Sequence, residues 1–149
     1  MSELALRQVA AILCDDVRTE DNGKQFLIGV YSGDIVVSTL PSTLALSVWL
    51  NAEVISGGKA PIKVEFQLDS EERLSGSITG EIGSVDVGGF IGVGFPKLPV
   101  TIAKPSVLKV RWKVGAGAWK TAIEKRIRVG SVNAAAIQAH PDKGGKPKR

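Results

Sequence analysis

Between residues 44 and 68 the chain alternates apolar and polar side chains with a period of two. Leu44, Leu46, Val48, Leu50, Ala52 and Val54 hold one parity; Ala45, Ser47, Trp49, Asn51 and Glu53 hold the other. After a Gly/Ser/Pro-rich connection at 56–61, Ile62, Val64, Phe66 and Leu68 alternate with Lys63, Glu65 and Gln67. Successive side chains of an extended strand point to opposite faces, so each run carries one apolar face. A helix would scatter the same residues around its axis. Two such runs joined by turn residues predict an antiparallel pair at the centre of a sheet.

The rest of the chain is compatible with a single domain built on that pair. Its 149 residues are enough to bury a core without covalent staples. Hydrophobic residues at 44% and charged residues at 23% are ordinary globular values. One cysteine, Cys14, leaves no intramolecular disulfide framework and fits a reducing compartment. The first residues lack the basic start, apolar core and cleavage site of a secretory signal. No apolar run approaches the roughly 18–20 residues that span a bilayer as a helix. The expectation is a cytoplasmic protein with no membrane span.

Charge is distributed unevenly along the chain. Residues 1–100 hold 7 Lys/Arg against 13 Asp/Glu, a net −6, and residues 101–149 hold 12 against 2, a net +10. In one domain this predicts a body with an acidic and a basic side. Such a body is either merely well solvated, or it assembles head to tail, or it draws an acidic partner to its basic side.

Taken in order, 8–14 is a short apolar run, and Asn22-Gly23 within an acidic cluster marks a turn. Residues 26–31 are apolar at both parities and read as a strand covered on both sides. Residues 34–38 are a further short strand candidate. The segments Ile12-Leu13-Cys14-Asp15-Asp16-Val17-Arg18 and Leu27-Ile28-Gly29-Val30-Tyr31 resemble an uncharacterised family of bacterial and prophage all-β proteins. The resemblance implies a β-sandwich of unknown role, a virion location if the chain is phage-derived, and no transferable catalytic residue.

Seven glycines between 76 and 94 predict short or irregular strands and a mobile arm. Leu108, Val110, Trp112 and Val114 then alternate with Lys109, Arg111 and Lys113. A Gly115-Ala116-Gly117-Ala118 turn leads to Trp119, Thr121, Ile123, Ile127 and Val129, set against Lys120, Glu124, Arg126 and Arg128. Lys125 falls on the apolar parity, which predicts a bulge or an edge position there. Residues 131–139 fit one or two helical turns capped by Ser131. Residues 140–149, with Lys143, Lys146, Lys148 and Arg149, form a basic tail. The chain therefore reads as all-β: an antiparallel β-sandwich of immunoglobulin-like or related topology over 1–130, then a short helical turn and basic tail over 131–149. A barrel is the alternative.

Chemistry finds few footholds. His140 lies in the tail and Cys14 in an apolar run, so the two do not form a nucleophile–base pair. No Gly-x-Ser-x-Gly elbow, zinc-ligand spacing or phosphate-binding glycine loop is present. The loop acids Asp15, Asp16, Glu20, Asp21, Asp69, Glu71 and Glu72 lack the spacing of a helix–loop–helix calcium site and read as solvated turn charges. The expectation is no catalytic residue, no cofactor and no metal.

Two features point instead to contacts. Lys109, Arg111, Lys113, Lys120, Arg126 and Arg128 form a basic ridge if their strands pair, extended by the tail residues Lys146, Lys148 and Arg149. On parity, Trp112 and Trp119 face inward, which removes the stacking platform of a single-strand binder. Trp49 sits on the polar parity, either covered by the chain itself or available as a contact anchor. A structural or interaction module that assembles with itself or with a larger bacterial or phage particle is the preferred reading. Binding of nucleic acid or another polyanion is the alternative.

Overall fold

The computed structural model describes residues 3–131. The helical turns expected after Ser131 and the basic tail, with Lys146, Lys148 and Arg149, lie outside the described residues. Within them the chain forms ten strands and no helix. In order these are β1 (Ala5–Thr19), β2 (Gln25–Val30), β3 (Ile35–Val37), β4 (Ser42–Ser56), β5 (Gly58–Leu68), β6 (Gly76–Val85), β7 (Phe90–Gly94), β8 (Leu98–Ile102), β9 (Ser106–Val114) and β10 (Lys120–Val129).

Two five-stranded sheets result. The first runs β2-β1-β4-β7, with β8 also pairing β4; the second runs β3-β10-β9-β5-β6. Their apolar faces meet in one core, in which Leu13, Leu46, Leu50, Ile62, Phe66, Leu68, Ile102, Leu108, Trp112 and Ile127 are almost wholly buried. Each such side chain contributes about 1.5–3 kcal/mol by leaving water. The indole N–H of Trp112 also donates to Gln8 Oε1 at 2.8 Å, so the largest core residue leaves no polar atom unsatisfied.

The two central runs are strands as the alternation predicts, but they are not partners. β4 pairs with β1, β7 and β8, whereas β5 pairs with β6 and β9. The chain turns through Gly57 from one sheet into the other. Placed face to face, the apolar sides of β4 and β5 cover each other; side by side they would both still need a lid. The corner is tight, since a Cβ on Gly57 would lie 2.8 Å from the Val85 carbonyl oxygen. Strands that change sheets at a bend are a recognised way to make such corners.

Other differences have local causes. The sandwich is not purely antiparallel, because β3 runs parallel to β10, with Ile35 opposite Ile127 and Val37 opposite Val129. β2 is not covered on both sides: it is an edge strand, and Phe26, Ile28 and Val30 are 54%, 44% and 47% exposed. The glycine-rich region is more regular than expected, giving the ten-residue β6 against β5 and then β7 against β4. β8 contains Pro99, which an edge strand tolerates because one row of its N–H groups needs no partner. The irregularity in β10 falls between Thr121 and Ile123 rather than at Lys125. Lys125 does occupy an edge, since β3 pairs β10 only at Ile127, Arg128 and Val129.

Candidate interaction surfaces

The β9–β10 hairpin forms as expected, with Lys109 opposite Glu124 and Arg111 opposite Thr121. β5 lies on the other side of β9 and sets Glu65 opposite Arg111 and Lys63 opposite Lys113. This pairing brings Glu65, from the acidic first part of the chain, onto the basic strands. Arg111 Nη2 lies 2.7 Å from Glu65 Oε2, and Lys109 Nζ lies 3.4 Å from Glu124 Oε1. Arg126 and Arg128 both reach Asp34 Oδ2, at 2.7 and 3.2 Å. The hydrogen bond from Arg126 is the main cause that holds the Asp34 carboxyl below its usual range. Charge segregated in the sequence is thus interleaved in space, and much of the expected ridge is neutralised internally.

The irregularity at Ala122 decides where two further side chains go. One extra residue in a strand reverses the parity of everything before it. Trp119 therefore lies on the outward face of the second sheet, not in the core. Its ring centroid is 5.0 Å from Arg111 Cζ and 4.9 Å from Lys113 Nζ. Lys120 leaves the ridge for the opposite face. Its ammonium lies 5.0 Å from the Trp112 ring centroid and donates to the Leu6 carbonyl at 3.1 Å. Leu4, Leu6, Trp112 and Lys120 line a cleft at that end of the sandwich.

On the first sheet, β1 runs beside β4 as far as the Cys14–Ser47 pair and then continues with β2 alone. The β1–β2 hairpin arches over the outer side of β4. The Trp49 indole N–H donates to Gln25 Oε1 at 2.7 Å, so the chain itself supplies a partner for Trp49. Asp16 Oδ2 lies 3.8 Å from Lys97 Nζ in the β7–β8 connection. β7 must be bare for this approach: a Cβ on Gly92 would lie 2.6 Å from Gln25 Oε1 and 3.1 Å from Trp49 Nε1. The hairpin's inner parity, with Gln25 and Val17, thus rests on the body. Its outer parity carries Phe26, Ile28 and Val30, opposite Arg18, Asp16 and Cys14 in turn. Sequence reasoning misses this edge because residues apolar at both parities resemble a doubly buried strand.

The polar groups considered for chemistry have structural engagements. Cys14 is buried and donates to the Asp16 carbonyl at 3.4 Å, and burial pushes its thiol pKa up, away from thiolate reactivity. Asp69 Oδ1 accepts the Val107 N–H at 2.8 Å, and Asp15 Oδ1 accepts the Tyr31 hydroxyl at 2.8 Å. Arg18 bonds Asp16 at 3.0 Å and is the chief cause of its lowered pKa. Among the described residues no group of three or more His, Cys, Asp or Glu is placed to hold a metal ion. Nor, among them, is any helix long and apolar enough to cross a membrane. His140 lies outside the described residues.

No protein-family model matches the chain, and no curated protein matches it. Among solved structures it is similar to a β-glucosidase from Listeria innocua in complex with glucose, at 13% identity and a TM-score of 0.42. That match covers 84% of this chain and 16% of the glucosidase chain.

Proposed function

We propose that this chain is an interaction module rather than a catalyst, and that it associates with a second copy of itself through the free edge of β2. One observation carries this. Among the described residues β2 pairs β1 on one side only, and it presents Phe26, Ile28 and Val30 as a continuous exposed row. An open edge with an apolar row is a template for another strand, which proteins ordinarily blunt with charge or proline. The row is apolar at three alternate positions centred on Ile28. Antiparallel pairing about Ile28 would therefore set Phe26 against Val30 of the second copy and Ile28 against its own equivalent. The Arg18–Asp16 pair on the neighbouring strand would flank the seam on both sides, giving an apolar centre and a charged rim.

We further read the topology as immunoglobulin-like. What supports this is the core arrangement of β1-β4-β7/β8 against β6-β5-β9-β10, with β2 added at one border and β3 parallel to the last strand at another. Sedimentation over a range of protein concentrations tests the association. A dimer is expected for the unaltered chain and a monomer for Ile28→Lys, which adds charge at an exposed position. A monomer at every concentration for the unaltered chain would overturn the proposal.

A further inference from the structure

We infer that the outward face of the second sheet carries a single-stranded nucleic-acid site, with Trp119 as the stacking platform and Lys63 and Lys113 as the phosphate-binding groups. The site is separate from the β2 edge and does not depend on it. Its first support is the contrast among the cations on this face. Lys109, Arg111, Arg126 and Arg128 each have a carboxylate within ion-pair distance. Lys63 and Lys113 are directly opposite each other in the β5–β9 register, and neither has an ion pair among the described residues. Like charges facing each other across strands are destabilising, and an anion lodged between them removes that cost.

Trp119 is the second support. The irregularity at Ala122 brings it to the surface, half-buried, within 5.0 Å of Arg111 and 4.9 Å of Lys113. A flat ring beside the Lys113 ammonium, with Lys63 across the strands from that lysine, matches the repeating unit of a single strand: a planar base and a phosphate. Base–aromatic stacking is tolerant of sequence, so this site favours no particular base order. Duplex nucleic acid hides its base faces and leaves Trp119 without a role. The net charge of +4 adds a general attraction for polyanions.

The test is fluorescence titration of the full chain with a short oligothymidylate at low and moderate salt. Saturable quenching is expected, weakened about 5- to 100-fold by Trp119→Ala. Lys63→Gln with Lys113→Gln should flatten the logarithmic salt dependence by about 0.7 for each phosphate that is no longer neutralised. Both lysines sit on the solvent side, so this double variant keeps the fold if Trp119→Ala does not. Three results would overturn the site: no saturable binding at low salt, binding that both variants leave unchanged, or equal binding of a sulfated polysaccharide without quenching.

Discussion

The outward face of the second sheet and the outside of the β1–β2 hairpin treat water in opposite ways. On the second sheet, cross-strand neighbours are matched: Arg111 with Glu65, Lys109 with Glu124, Arg126 and Arg128 with Asp34. On the hairpin, the outer row is Phe26, Ile28 and Val30, and the strand bearing it has an open edge. The first surface is completed by its own chain apart from the Lys63–Lys113 pair. The second leaves its apolar row exposed beside an open strand edge. Surface charge pairs are worth little individually, so the contrast concerns availability for contact more than stability.

The sharpest check on the common foundation is the core beneath the matched face. Phe66 is fully buried next to Glu65 on β5, and Phe66→Ala should lower unfolding free energy by roughly 3–5 kcal/mol in urea denaturation. A loss below about 1 kcal/mol would mean that the two sheets do not pack as described. One residue along, Glu65 is only 7% exposed and accepts a charged hydrogen bond from Arg111. Glu65→Gln should cost roughly 1–3 kcal/mol by the same measurement. Were it neutral, the matching of charges on this face would add nothing to stability.

Tyr31 reports whether the hairpin is held against the body. It is the one tyrosine in the chain. Burial, then the bond to Asp15, pushes its hydroxyl pKa from 10.0 to about 12. Because the folded value is the higher one, the associated stability is complete below pH 10 and is lost as pH rises towards about 12. Ultraviolet titration of the folded protein should therefore show phenolate only near the upper value, with Asp15→Asn moving it down. A midpoint at the unfolded value would mean a hairpin that has lifted away. The smallest effect is expected at the row itself: Ile28→Ser should change the stability of the isolated monomer by less than about 0.5 kcal/mol, while abolishing association. A large loss of monomer stability would show that Ile28 belongs to the core.

How much of this is legible in the sequence varies by residue. The alternation in β5 and β9 correctly puts Ile62, Val64, Phe66, Val110 and Trp112 inside, because parity follows from strand geometry alone. Parity says nothing of partners, so it joins β4 and β5 in one hairpin when they lie in different sheets. The sides of Trp119 and Lys120 cannot be read, since a single extra residue at Ala122 reverses them and has no compositional mark. Glycine suggests irregularity in β6, yet a glycine backbone makes the same ladder bonds. Phe26, Ile28 and Val30 look covered because apolar residues at both parities have two physical outcomes, burial by the same chain or exposure on an edge strand. Nothing in the sequence separates them.

The free edge of β2 is tested most directly by amide hydrogen exchange at Phe26, Leu27, Ile28, Gly29 and Val30, followed as protein concentration is raised. Protection of the amides that point away from β1 should appear with concentration, together with growth in molar mass, and should vanish in Ile28→Lys. Exchange at the rate of an open strand at every concentration would contradict the account.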